Sequence, residues 1–489
     1  MPGEVLSPPA PGAAARTVGV GIGVGVGDRE RSALHALGAA VEDLGYRQLY
    51  AHGIGTGLFA GDRGAALVAL DEWPEPERHA LRLLGLGASA DPDRLPPDLA
   101  PALDALAATG LVVAEDPWVR ADGWVLVPAL AGHLLTRPPP GYALAGVGEG
   151  AAGRAYLAPD SLRLAAALPS AAGRRVLDLG AGCGIQGLLA VPGAAEVVLV
   201  DVEADSLELA ARNAVLNRVP YPVRVVEGDL YGPVAGEQFD LVVTLPPYVP
   251  TVAGGAQTSV TAGGADGLDL VRRIVTGAPD HLAPGGELIA VCQLLCRGPE
   301  PLLAGELATL APGLDARLVV SDFHPLQPYL VDLATKLAVH GGADMAALVD
   351  AYRGSLRPTG ATGVCTAVLR LRRPRPGEDV VPGCRVVGGR PVATDDVARC
   401  ADGVAVGSDP SLRVAGAPGS PPVVLEGPTV ALLEAFDGQR TIGEAAAAAW
   451  GRLQGADPCD VADQAVWRTD RLRRQGLAML APTGTAEGG

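Results

Sequence analysis

Three glycines at alternate positions, Gly180, Gly182 and Gly184, follow a short apolar run that carries a carboxylate, Arg175-Val-Leu-Asp-Leu179. Glycine opens backbone conformations closed to other residues, so N–H groups can approach a ligand at the start of the next helix. Asp178 and the three glycines would form such a ligand loop. About twenty residues on, Val197-Val-Leu-Val-Asp201 is a second apolar run ending in an acid; an open α/β sheet grips the ribose of an adenosine-containing ligand this way. Asp201 would accept hydrogen bonds from two ribose hydroxyls. Gly228-Asp229-Leu230 follows a third run, and the Asp229 carboxylate would meet the adenine amino group. Phe239-Asp-Leu-Val-Val-Thr-Leu-Pro-Pro-Tyr248 then brings Leu245, Pro246, Pro247 and Tyr248 to the place where the ligand's reactive end would meet a second substrate.

Strands must hold these residues in register. Extended patterns cover 176–179, 197–200, 223–226, 241–244, 287–291, 317–320 and 364–371, and helical stretches alternate with the first five. This predicts an α/β domain with a parallel, doubly wound sheet of seven strands. Proline-rich breaks at 138–141 and 374–379 bound it, so the expected divisions are a disordered tail (1–17), an N-terminal substrate domain (18–145), the central domain (146–375) and a C-terminal domain (376–489). Helical patterns begin near Arg31, Pro76 and Asp98, and the runs at 111–114 and 124–127 are expected to pair as one hairpin, making the N-terminal domain winged-helix-like. The Val/Ile–Gly alternation at 18–27 has no preceding strand and reads as weakly extended chain. The C-terminal domain is expected to hold short strands and then helices from Pro428, Thr441 and Asp460, with Thr441 and Glu444 forming a capping box.

A chain of 489 residues exceeds one core and implies two or three domains. Its net charge of −17 disfavours polyphosphate partners, which need a local excess of Lys and Arg. The arginine runs at 370–375 and 468–474 read as solvated faces, so no DNA partner is expected and RNA is disfavoured. The cysteines (183, 292, 296, 365, 384, 400 and 459) are odd in number and scattered, suggesting neither a disulfide framework nor a metal site. The N-terminus lacks the order of a signal peptide and no apolar run is long enough to span a membrane, so the expected setting is reducing and cytoplasmic, with no membrane partner.

Gly182-x-Gly184-x-x-Gly187 also satisfies a dinucleotide fingerprint. It begins three residues late for a strand-to-helix turn, and it leaves Leu245–Tyr248 without a role. Residues 148–373 instead resemble the class I S-adenosylmethionine-dependent methyltransferases, in the branch of release-factor glutamine methyltransferases and small-molecule or RNA amine methyltransferases. Asp178–Gly184 resembles that family's first motif, Asp201 its second, Leu245-Pro-Pro-Tyr248 its Asn-Pro-Pro-Tyr motif, and Gly263-Gly-Ala-Asp-Gly-Leu-Asp269 also fits. The resemblance implies S-adenosylmethionine as cofactor, held by Asp178, Gly180, Gly182, Gly184, Asp201, Asp229 and Leu245.

One position departs from the family. Its Asn or Asp side-chain oxygen takes a hydrogen bond from the acceptor nitrogen, whereas Leu245 offers only its backbone carbonyl. A planar amide needs that second acceptor most, so Leu245 argues for an aliphatic amine substrate. Tyr248 would line the methyl channel and Pro246-Pro247 stiffen the loop. His324, Asp266 and Asp322 are candidate proton acceptors. The pattern at 424–445, with 472–480, resembles PqqD-like peptide-recognition domains, winged-helix modules that add a peptide strand to a sheet edge. The layout is similar to methyltransferases of daptide-type peptide pathways, which dimethylate a terminal amine. The resulting expectation is an N-methyltransferase of a ribosomally made precursor peptide. The alternatives are a methyltransferase of RNA or of a translation protein, and a donor-binding regulator without turnover. A homodimer is left open.

Overall fold

The computed structural model describes residues 25–54, 66–68, 70–138, 155–252, 262–298, 300–341, 344–381, 383–387, 397–400, 405–406, 414–416, 423–424, 427–450 and 478–480. The tail at 1–17, most of the Val–Gly stretch and the helical pattern from Asp460 lie outside them.

The N-terminal part opens with helices α1 (Asp28–Asp43), α2 (Tyr46–Gly53), α3 (Glu75–Ala80) and α4 (Ala100–Ala107). Two hairpins follow, not one: β1 (Val112–Glu115) with β2 (Trp118–Ala121), and β3 (Val125–Ala129) with β4 (Gly132–Thr136). Glu115 faces Trp118, so the chain already reverses at Asp116-Pro117, and the run from Trp124 is left to start a separate hairpin. Proline presets a turn and cannot donate to a ladder, which is why the reversal falls there. The expected winged-helix hairpin is thus replaced by this pair.

The central domain runs through α5 (Pro159–Ala167), β5 (Arg175–Leu179), α6 (Ile185–Leu189), β6 (Glu196–Asp201), α7 (Ala204–Leu216), β7 (Val223–Glu227), β8 (Phe239–Thr244), α8 (Asp269–His281) and β9 (Leu282–Arg297). It continues with β10 (Glu300–Pro301), β11 (Asp315–Pro325), α9 (Leu326–Gly341), α10 (Met345–Leu356), β12 (Gly363–Arg372) and β13 (Cys384–Val387). The strands lie in the order β7-β6-β5-β8-β9-β12-β11-β13, with β10 paired to β9. All seven expected strands are in this sheet, but it has nine strands and is mixed. β5 to β9 are mutually parallel, whereas β12 runs antiparallel to both neighbours. The cause is the connection: α9 and α10 return the chain to the end where β11 stopped, so Gly363 starts opposite Pro325. The two extra strands are β10 and β13, the latter parallel to β11 and only four residues long.

Side chains alternate across the sheet. Val176, Val197, Leu199, Leu241 and Val243 face α7 and share a core with the N-terminal helices and hairpins. Leu177, Leu179, Val198, Val200 and Val242 face α8 on the other side. The N-terminal part is also fixed by two asparagines on and just after α7. Asn213, fully buried, accepts from Leu135 N–H (2.7 Å) and donates to Leu135 O (2.8 Å) and Cys183 O (2.9 Å). Asn217 accepts from His133 N–H (2.9 Å) and donates to His133 O (2.7 Å). Together they act as a paired strand for the edge of β4, and through Cys183 they reach the glycine loop.

The C-terminal residues form an antiparallel sheet in which Val397–Cys400 lies between Asp437–Thr441 and Ala478–Leu480, beside helices Gly427–Glu434 and Ile442–Trp450. The capping box is present: Glu444 N–H donates to Thr441 Oγ1 (3.2 Å) and Thr441 N–H to Glu444 Oε2 (2.8 Å). Among the described residues no helix is long and apolar enough to cross a membrane.

Candidate active site

β5 and β6 end side by side, and the chain leaving β5 must turn sharply to enter α6. Gly180, Gly182 and Gly184 take left-handed φ values of 68°, 55° and 83°, a region costly for other residues. At Gly184 a Cβ would also come within 2.7 Å of Leu188. Gly180 and Ala181 N–H donate to Val200 O (2.8 and 3.0 Å), which pins the loop to β6. Asp201 completes it: Oδ2 accepts from Gly182 N–H (2.8 Å) and Oδ1 from Glu203 N–H (2.9 Å). Each carboxylate oxygen retains a lone pair for a further donor. Burial pushes the Asp201 carboxyl up, against the pull of those N–H groups. Asp178 is buried, accepts from Gly187 N–H (2.9 Å), and is raised to about 7, chiefly by burial and then by the charge of Asp201.

These groups line a cavity of about 320 Å³ that runs from the strand tips of β5 and β6 to the loop after β8. Asp229 and Leu230 border one end; Asp229, half-exposed, pairs with Arg273 at 2.6 Å. Leu245, Pro246, Pro247 and Tyr248 border the other end, with Tyr156. Thr244 Oγ1 donates to Leu179 O (2.8 Å), tying the end of β8 to β5. The 262–268 segment clamps the Pro-Pro loop: Gly263 N–H donates to Val249 O (2.8 Å), and a Cβ on Gly267 would sit 2.3 Å from Tyr248 O. That is the structural use of the Gly263–Asp269 motif. Two non-glycine residues with left-handed φ, Ala155 and Leu230 (both 50°), also line the cavity; such strain collects at ligand sites.

The candidate proton acceptors are dispersed. His324 lies opposite Val364 near the end of β11, outside the cavity lining and two strands beyond β9. Asp266 accepts from Leu268 N–H (3.0 Å) and forms a two-point pair with Arg272 (3.0 and 2.7 Å), which Glu306 also holds. The guanidinium and N–H partners outweigh burial and keep its carboxyl below the usual range, so Asp266 anchors the clamp segment to α8. The side chain of Asp322 is outside the described residues.

Sequence reasoning missed Asp160. It stands in the first turn of α5, where an acid after Pro159 reads as an ordinary helix start. Yet the Tyr248 hydroxyl donates to its Oδ2, while Arg163 Nη1 lies 3.2 Å from Oδ1. Gln186 was also missed. It lines the cavity, donates to Ser161 O (2.7 Å), and its buried Oε1 has no hydrogen-bond partner among the described residues.

Residues 154–310 match the family model of the methyltransferase small domain. The ribosomal protein uL3 glutamine methyltransferase of Bradyrhizobium diazoefficiens is 40% identical over 126 residues, 24% of this chain and 39% of that protein. The release factor glutamine methyltransferase of Xylella fastidiosa is 39% identical over 132 residues, 25% of this chain and 48% of that protein. A Methanocaldococcus jannaschii protein named "Putative protein N5-glutamine methyltransferase" is 33% identical over 158 residues, 31% of this chain and 75% of that protein. The chain thus spans less than half the length of the first two relatives and three quarters of the third.

The sheet and its ligand loop are those of a class I S-adenosylmethionine-dependent methyltransferase. Within that class, the chain belongs to the methyltransferase small domain family. The residues fit the donor. Asp201 keeps lone pairs that ribose hydroxyls could use, the glycine loop leaves room for an amino-acid moiety, and the orphaned Gln186 Oε1 would suit an ammonium.

Proposed function

We propose that this chain transfers a methyl group from S-adenosylmethionine to an amine nitrogen of a polypeptide. Bound donor supplies a methyl carbon on a sulfonium, open to in-line displacement. The protein's part is positioning. Asp201 and the glycine loop orient the donor, and the clamped Pro-Pro loop presents Leu245 O and Tyr248 at the acceptor end. The observation that carries the amine is Leu245: its side chain packs partly against the core and offers no acceptor to a planar amide.

The relatives named above act on glutamines of a ribosomal protein and of a release factor. They support a protein substrate, and for its identity they favour a translation protein over a precursor peptide. Glutamine methylation of a translation protein is therefore the second reading, and position 245 stands against it. The precursor-peptide reading rests on the C-terminal region alone, whose three-stranded antiparallel sheet has the edge strands Asp437–Thr441 and Ala478–Leu480 on which a peptide strand could be added.

The purified full chain, given isotopically labelled donor, tests this with three acceptors: a peptide with a free terminal amine, the same peptide acetylated but containing glutamine, and a release-factor domain. Label on the free amine alone is the expected result. Label on glutamine in the blocked peptide or the release factor, with none on the amine, installs the second reading.

A further inference from the structure

The acceptor end lacks a side-chain hydrogen-bond acceptor at Leu245, but the neighbouring residues supply one. The Tyr248 hydroxyl has one proton and two lone pairs. Its proton is committed to Asp160 Oδ2, so toward the cavity the oxygen can act only as an acceptor. Asp160 is itself held from the far side by Arg163, one helical turn on. The backbone of Tyr248 cannot drift, because Gly267 packs directly against its carbonyl. Asp160 lies behind Tyr248, and the carboxylates that line the cavity itself, Asp178, Asp201, Glu203 and Asp229, belong to the strand tips and loops of β5, β6 and β7, at the donor end.

We infer that the Tyr248 hydroxyl oxygen, oriented and polarised by Asp160, accepts the N–H of the substrate amine and turns its lone pair toward the donor methyl. The inference rests on the amine reading above and names the group that would make an amine productive. Tyr248 touches the substrate; Asp160 is a positioning residue acting through it. The nitrogen lone pair forms the N–C bond as the C–S bond breaks, its electron pair passing to sulfur, and the resulting ammonium releases a proton to solvent. Neither residue takes that proton. Burial, reinforced by the Asp160 charge, lifts the Tyr248 hydroxyl well above its ordinary range, so it stays protonated and keeps donating to Asp160 at neutral pH.

A double-mutant cycle tests this: Tyr248→Phe, Asp160→Asn and the double variant, assayed for methyl transfer to a peptide with a free amine. Affinity for S-adenosylhomocysteine, measured by calorimetry, serves as the folding control. Tyr248→Phe should lower kcat about 10- to 100-fold, with KM for the peptide and product affinity changed less than about threefold. Asp160→Asn should lower kcat about tenfold, and the double variant should be no worse than Tyr248→Phe. Unchanged kcat in Tyr248→Phe, or losses that multiply in the double variant, overturn the inference. Should Asp160→Asn fail to bind product, Tyr248→Phe decides alone, because it removes only one hydroxyl. Should the wild type label glutamine instead of the amine, the amine reading fails, and the same cycle run on glutamine decides separately whether Tyr248 and Asp160 act as a unit.

Discussion

The donor end and the acceptor end of this cavity are built in opposite ways. At the donor end the groups come from two adjacent strand tips, and most of them are backbone: three glycines, two N–H bonds to Val200 O, and one acid that closes the loop. At the acceptor end they come from separated segments. Tyr156 and Asp160 precede the first strand of the sheet, Leu245–Tyr248 follow β8, and the clamp comes from 262–268. Backbone geometry demands particular residues in a particular order, so the donor end tolerates little change. The acceptor end is assembled from side chains and can be retuned one residue at a time.

That contrast predicts the largest effect at the donor end. Asp201→Ala removes the acceptor of the Gly182 N–H and the contacts proposed to the ribose, and should weaken S-adenosylhomocysteine binding at least about 100-fold by calorimetry. A loss below about threefold would mean that the acid is structural only. Next comes Asn213→Ala, which leaves Leu135 N–H and O and Cys183 O without their partner in a fully buried place. Urea denaturation should show a loss of about 2–4 kcal/mol. Product affinity should fall with it, because Cys183 belongs to the ligand loop; intact affinity would show that the N-terminal part and the loop are independent.

How far the two ends could be read from sequence follows the same contrast. That Asp178, the glycines, Asp201 and Asp229 line one cavity was legible because each lies within or just past an apolar run, and the first three belong to β5, its following loop and the end of the adjacent β6. Leu245–Tyr248 were legible as a short rigid motif. Asp160 was not, since only folding brings it to Tyr248. His324 seemed eligible because a polar residue after a strand resembles the others, but its strand lies too far along the sheet order. In the fold, periodicity found the seven main strands. It missed the direction of β12, which depends on where α9 and α10 deliver the chain, and β13, four residues long.

A third effect concerns Asp178. Burial raises its carboxyl to about 7 in the folded chain, above its unfolded value. Between about pH 4 and 7 the folded state therefore holds more protons than the unfolded state, and this group's contribution to stability is lost as pH rises through that window. Asp178→Asn keeps an acceptor for Gly187 and should flatten the dependence, gaining roughly 1–3 kcal/mol relative to wild type on going from pH 4 to pH 8. Parallel stability curves for the two proteins would contradict this. The smallest effect is the most specific. Leu245→Asn should leave transfer to the amine within about threefold and raise transfer to glutamine about tenfold from background. No gain on glutamine would separate position 245 from acceptor choice.

If the loop after β5 and the acid ending β6 hold a sulfonium donor aimed at Leu245–Tyr248, its demethylated product must bind the free protein. Calorimetric titration of the full chain with S-adenosylhomocysteine, beside a nicotinamide dinucleotide, tests it most directly. One saturable site is expected for the first and no heat for the second. Binding of the nicotinamide dinucleotide with none of S-adenosylhomocysteine would contradict it.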